Sequence, residues 1–189
     1  MKVIAINGSA RGAKGNTQIC LDLVGAGLQE AGIEFETIEL ADKDLNPCLA
    51  CGECKGQNAC TQKDDINDIY QRLLDVDGII LGSPTYFGNV TSRMQMFIER
   101  VGYIGRNNDN PFKGKIGAPV AVARRNGQTF VYSALNFFFG INEMPIATSS
   151  YWNLAVGREI GEVNNDAEGI RTMETLGKNM AELILKTRS

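Results

Sequence analysis

Short apolar runs alternate along this chain with stretches whose apolar positions repeat at helical spacing. Residues 2–6 (KVIAI), 78–82 (GIILG) and 116–123 (IGAPVAVA) are nearly continuous apolar runs of strand length, the pattern of strands buried on both faces. Residues 34–40 alternate polar and apolar positions, as a strand covered on one face does. Between them, residues 17–31 set Ile19, Cys20, Leu23, Val24, Gly27, Leu28 and Ala31 on one helical face. Residues 64–75 place Ile66, Ile69, Tyr70, Leu73 and Leu74 at helical spacing behind an acidic first turn. Residues 90–101 do the same with Met94, Phe97, Ile98 and Val101. Residues 129–139 are expected to be helical, although the run Phe137-Phe138-Phe139 suits a strand as well. A short fifth strand is expected near Ile146, and a last helix through Ile170, Met173, Leu176, Met180, Leu183 and Ile184.

Five strands alternating with five helices predict an α/β protein with a parallel sheet covered on both faces. The expected architecture is a flavodoxin-like three-layer α/β/α sandwich with a five-stranded parallel sheet, formed by one domain over residues 1–189 with a cysteine-rich loop at residues 47–63. With 19 basic against 22 acidic side chains, the chain lacks the cationic excess of a nucleic-acid binder. No apolar stretch reads as a secretory leader or a membrane span, so a cytoplasmic protein with no membrane partner is expected. Histidine is absent, which removes Ser-His-Asp and Cys-His nucleophilic catalysis and histidine-ligated zinc together. Difficult chemistry is then left to a bound cofactor.

In such a sheet, ligands bind outside the carboxyl ends of the strands, so function is read in the loops that follow them. The first, NGSARGAKGNT (residues 7–17), combines glycines, hydroxyls and two cations with a helix N-terminus, the makings of an anion site. Ser9, Arg11, Asn16 and Thr17 supply more polar groups than a simple helix cap requires, and a mononucleotide phosphate is the expected ligand. Neither GxxxxGK[ST] nor GxGxxG is present. The second loop carries Pro84, Thr85, Tyr86, Phe87, Gly88 and Asn89, suited to walling a planar heterocycle, or else to stapling the helix below. The third, Arg124, Arg125, Asn126, Gly127 and Gln128, offers donors for the ring's polar edge, although paired arginines are commonly just solvated. Together they suggest a flavin mononucleotide (FMN) site.

Cys48, Cys51, Cys54 and Cys60, in PCLACGECKGQNAC, are a ligand set of their own. Three thiolates at successive x2 intervals and a fourth nearby suit a [4Fe–4S] cluster. The last gap is x5 rather than x3, and Pro47 precedes the motif instead of following it. Zinc on four thiolates is the nearest alternative, though its ligands usually come as two separated pairs. Disulfides fit less well with an odd total of five cysteines. Cys20, on the apolar stripe of the first helix, reads as a core residue. The segment 149–153 carries the only tryptophan, Trp152, whose expected place is beside the ring, in the core or at a subunit interface.

The three segments NGSARGAKGNT, PCLACGECKGQNAC with Asp64-Asp65, and GSPTYFGNV, in this order, resemble the iron-sulfur flavoprotein family, a branch of the NADPH-dependent FMN reductase-like proteins. The resemblance implies an FMN and a [4Fe–4S] cluster per subunit of a homodimer or homotetramer. Electrons would pass from a donor such as ferredoxin through the cluster to the flavin of a neighbouring subunit. By position, Cys48, Cys51, Cys54 and Cys60 would ligate the cluster, Ser9, Arg11, Asn16 and Thr17 would hold the FMN phosphate, and the second and third loops would surround the ring. The expected activity is reduction of a small acceptor (oxygen, peroxide, a quinone or free flavin). An NAD(P)H-dependent FMN or quinone reductase lacking a functional cluster, and a non-enzymatic electron carrier, are the alternatives.

Overall fold

The computed structural model describes residues 1–188. Strands β1 (Lys2–Asn7), β2 (Glu34–Glu39), β3 (Gly78–Pro84), β4 (Ile116–Ala123) and β5 (Leu154–Val156) form one sheet of order β2-β1-β3-β4-β5, with every pair parallel. Helices α1 (Asn16–Glu30), α2 (Ile66–Leu74), α3 (Ser92–Arg106), α4 (Gln128–Ile141) and α5 (Ala167–Arg188) connect and cover it. This is the expected α/β flavodoxin-like fold, and each helix lies within a few residues of its predicted place.

Alternation along the strands divides the interior. Val3 and Ala5 of β1 and Ile80 of β3 pack with α1 and α5, while Ile4, Ile6, Ile79 and Leu81 pack with α2, α3 and α4. Both faces are thus buried, which is why the central strands read as unbroken apolar runs. The phenylalanine run resolves as helix: Phe138 and Phe139 are buried, whereas Phe137 faces solvent. Cys20 lies in the core, where burial pushes its thiol up to about 12. Among the described residues no helix is long and apolar enough to cross a membrane.

The edge strand departs from expectation. Ile146 forms only an isolated parallel bridge to Gly117, and the regular strand comes later, at Leu154–Val156. The interruption falls beside Pro119, two residues along the same edge of β4 from Gly117, where the chain has no N–H to offer. The Pro119 carbonyl instead accepts from Asn153 Nδ2 (3.0 Å), after which Ala121 N–H donates to the Asn153 carbonyl (3.1 Å) and pairing resumes. Asn153 is buried, but its neighbours Tyr151 and Trp152 are half exposed.

Helices α1 and α5 cross at glycines. A Cβ on Gly27 would lie 3.0 Å from the Gly177 carbonyl carbon, and one on Gly177 would overlap the Val24 carbonyl oxygen. Gly177→Ala therefore reverses the usual ranking. Helix propensity alone would stabilise the chain by about 1 kcal/mol, whereas the overlap is expected to destabilise it by about 1–3 kcal/mol. Denaturant unfolding measures the sign, and a stabilised variant would contradict the close packing of these helices.

Candidate functional site

The phosphate-type loop is organised by a buried asparagine. Asn7, fully buried at the end of β1, accepts from Ser9 N–H (2.9 Å) and donates through Nδ2 to Gln18 Oε1 (2.9 Å) and the Gly12 carbonyl (3.3 Å). Ser9 Oγ accepts from Arg11 N–H (3.2 Å). Gly12 has φ +54° and lies against the Glu39 carboxylate, where a side chain would not fit. Helix α1 then opens on Gly15 with no side-chain cap, and the N–H groups of Asn16 and Thr17 have no acceptor among the described residues. These unpaired donors and the positive end of the helix dipole face the loop.

Asn16 and Arg11 also hold a segment that sequence reasoning missed. Asn16 Nδ2 donates to the Glu159 carbonyl and its Oδ1 accepts from Gly161 N–H (2.8 Å each), while Arg11 Nη1 donates to the Arg158 carbonyl (2.8 Å). The turn after β5 is closed by Glu162, which accepts from Arg158 and Glu159 N–H (2.7 Å each). Those donors, with the Arg158 and Arg124 charges, hold its carboxyl below the usual range. Gly157 and Arg158 thereby reach a cavity of about 160 Å³. Its other walls include Ser9, Arg11, Asn16, Thr17, Pro84, Thr85, Tyr86 and Arg124. The signal for this segment was its place after the last strand, which was itself misplaced by the sequence pattern.

The second loop is a tight reversal. Tyr86 N–H donates to the Asn89 carbonyl (2.9 Å) and Asn89 N–H to the Tyr86 carbonyl (3.0 Å), with Phe87 (φ +51°) and Gly88 (φ +76°) between them. A left-handed, fully exposed phenylalanine is a costly backbone arrangement. The third loop packs on the second: a Cβ on Gly127 (φ +92°) would lie 3.1 Å from Thr85 Cγ2 and 3.4 Å from Gly88 Cα. Phe87, Gly88, Asn89, Asn126 and Gly127 do not line the cavity. Thr85 does, and its Oγ1 is buried with no hydrogen-bond partner. Such an atom is satisfied by a ligand in the cavity, and with the free N–H groups of α1 it fits a phosphorylated, hydrogen-bonding cofactor such as FMN.

The four cysteines meet at a second place. Cys48, Cys51, Cys54 and Cys60 line one small hollow together with Arg100, Tyr103 and Ile104 of α3. Left-handed residues Ala50 (φ +51°), Gly52 (φ +76°), Gly56 (φ +72°) and Asn58 (φ +50°) curl the loop around it. Asn67 of α2 holds Cys60 by both backbone groups, accepting from its N–H (2.7 Å) and donating to its carbonyl (3.0 Å). Asn108 Nδ2 donates to the Cys54 carbonyl (2.8 Å), and Asn107 Nδ2 reaches Cys54 Sγ at 4.0 Å. Burial, and then the neighbouring Cys60, Cys51 and Cys48 sulfurs, push the Cys54 thiol up. Among the described residues, no group of three or more His, Cys, Asp or Glu side chains is drawn together as a single-ion site. The sulfurs border a shared hollow, and Arg100 Nε there is buried with no well-formed hydrogen bond among the described residues. A donor set of four soft sulfurs with an idle N–H beside them fits an iron–sulfur cluster.

The chain has relatives among known flavin proteins. The family model for NADPH-dependent FMN reductase matches residues 1–159. An iron-sulfur flavoprotein of Methanocaldococcus jannaschii is 38% identical over 97% of both chains. An iron-sulfur flavoprotein of Methanosarcina thermophila is 31% identical over 100% of this chain and 99% of its own. Among solved structures, RosB with bound 8-demethyl-8-formylriboflavin-5'-phosphate superposes with TM-score 0.81 at 15% identity, over 100% of this chain and 80% of that one. A flavodoxin from the domain Archaea gives TM-score 0.65 at 17% identity, over 98% and 99%. With the family model spanning most of the chain and full-length relatives above 30% identity, this chain is a flavin-dependent oxidoreductase of the NADPH-dependent FMN reductase family, in its iron-sulfur flavoprotein branch.

Proposed function

We propose that one domain spanning residues 1–189 holds an FMN and a [4Fe–4S] cluster, and passes electrons from a low-potential donor such as ferredoxin through the cluster to the flavin and on to a small acceptor. The observation that carries this reading is the presence of two separate built sites in one chain: four cysteines around one hollow, and a cavity at the strand ends with a buried, unpartnered hydroxyl. Cys48, Cys51, Cys54 and Cys60 are the cluster ligands. The phosphate belongs at Ser9, Arg11 and the N–H groups of Asn16 and Thr17. Pro84, Thr85, Tyr86 and Arg124 wall the ring, with Thr85 Oγ1 donating to it, and Phe87, Gly88, Asn89, Asn126 and Gly127 rim it from outside the cavity. When bound, FMN exchanges two electrons as a pair or singly and a cubane cluster exchanges one, so the two together join partners of unequal electron number.

The protein's own part is to hold, separate and shield. Helix α3 starts at Thr91, whose Oγ1 donates to the Gly8 carbonyl (2.7 Å) of the phosphate-type loop, and ends beside Asn107 and Asn108, which hold Cys54. From Thr91 to Arg100 and Ile104, which line the cysteine hollow, the helix runs about 14–20 Å. That separation supports an assembly, dimer or tetramer, in which the cysteine centre of one subunit approaches the flavin cavity of the next. An apolar groove of about 870 Å³ between α3 and α4, which includes Cys48, Asn89, Ile98, Tyr103, Phe137 and Ile141, is the surface suited to it. A reducing cytoplasm would keep the cysteines available as ligands. The family description favours one second reading, with NADPH as the donor to the flavin.

Three measurements test these assignments. Under anaerobic stopped-flow mixing, reduced ferredoxin is expected to reduce the flavin at least tenfold faster than NADPH does; rapid reduction by NADPH with ferredoxin inert would replace this reading with the second. Cys51→Ala is expected to lose its iron and acid-labile sulfide yet keep about one FMN per chain, because the two sites use different loops. Retention of full iron in that variant would overturn the ligand assignment. Thr85→Val is expected to weaken FMN binding about 3- to 10-fold while leaving the flavin-free protein as stable or slightly more so, since it removes an unsatisfied buried hydroxyl. Unchanged FMN affinity would show that the hydroxyl does not meet the ring.

A further inference from the structure

Arg100 is the largest fully buried side chain among the described residues, and it borders the cysteine hollow. Its guanidinium is committed on two nitrogens and idle on the third. Nη1 donates to Asp64 Oδ2 (2.7 Å) and the Asn46 carbonyl (2.9 Å), and Nη2 donates to Asp64 Oδ1 (2.9 Å). Nε is buried and makes no well-formed hydrogen bond among the described residues, while the Cys60 side chain lies close enough to interact with the guanidinium. Asp64 is equally buried, and its oxygens also accept from Asn46 N–H (3.1 Å), Asn46 Nδ2 (3.2 Å) and Ile66 N–H (3.3 Å). A loop anchor would be complete with the two Nη groups alone. A buried donor left over beside four sulfurs is explained by something in the hollow that accepts from it.

Resting on the reading that the cysteines carry a cluster, we propose that Arg100 is a positioning residue of that centre, whose Nε–H donates to its sulfur on the Cys60 side and favours the reduced form. Cys60 is the candidate, since it lines the hollow with Arg100 and its side chain interacts with the guanidinium. One-electron reduction adds one negative charge to the centre and takes up no proton from Arg100, which stays protonated throughout. A fixed N–H and positive charge in a dry site stabilise that added charge, and hydrogen bonds to the sulfurs are a recognised lever on cluster potential. Asp64 balances the charge from another edge of the guanidinium, so the pair presents its positive side to the hollow.

The test is an anaerobic reductive titration of the full-length, cluster-loaded protein by dithionite with redox mediators, followed by electron paramagnetic resonance. Iron and sulfide are counted in every sample. Arg100→Lys keeps a cation for Asp64 but lacks the Nε donor. It is expected to load fully and to show at least a tenfold smaller equilibrium constant for cluster reduction, a midpoint lower by about 59 mV for one electron. Arg100→Met/Asp64→Leu removes both charges together and serves if the lysine variant loads poorly; the same direction of shift is expected. Fully loaded variants that titrate at the wild-type midpoint would overturn the proposal while leaving the cluster reading intact. Loss of iron from both variants would make Arg100 an anchor of the loop only, and would likewise overturn it. Wild-type protein without iron and sulfide would sink the cluster reading itself, and this proposal with it.

Discussion

The buried ion pair between Arg100 and Asp64 is the constraint around which the cysteine loop is built. Taking two charges out of water is expensive, and the cost is recovered only with good geometry and full hydrogen bonding. Here the geometry is bidentate, and Asn46 serves both partners, accepting from Arg100 and donating to Asp64. Breaking such a pair from one side costs about 3–5 kcal/mol, so the loop entrance at Asn46, its exit at Asp64 and the middle of α3 are held as one unit. The cysteines are presented by a closed ring of structure. Ala50 and Asn58, neither of them glycine, can then keep left-handed backbone that an unrestrained loop would give up.

Helix α3 carries that order to the other site. Thr91 caps it by accepting from Met94 N–H (3.2 Å) while donating to Gly8, and Thr91 N–H donates to Ser83 Oγ (3.2 Å). The first loop, the end of β3 and the start of the helix are therefore joined by one threonine. A rigid helix fixed at both ends keeps two sites at a constant separation, whereas a flexible tether would not. The same helix presents Tyr103 and Gly102 to the apolar groove that it forms with α4.

Much of this was legible in the sequence because it is local. The helix periodicities, four of the five strands, the four-cysteine spacing and the glycine-rich turn after β1 all lie within short windows. What escaped reading is non-local. Arg100 occupies a position on the apolar stripe of α3 between Phe97 and Ile104, and a charge there is a legible oddity, but its partner lies 36 residues earlier. Asp64 read as an acidic first turn and is a buried counter-ion. The turn 157–162 reaches the cavity only through Arg11 and Asn16, nearly 150 residues away. The fifth strand was expected near Ile146 because apolarity alone cannot show that Pro119 on the neighbouring strand would interrupt the pairing.

The central claim is that this chain carries two redox centres of different kinds. Analysis of iron, acid-labile sulfide, zinc and flavin in anaerobically purified protein, together with its visible spectrum, tests it most directly. The account predicts about four irons, four sulfides and one FMN per chain, with negligible zinc. About one zinc with no sulfide, and FMN still bound, would contradict it and leave a flavin reductase with a structural metal loop.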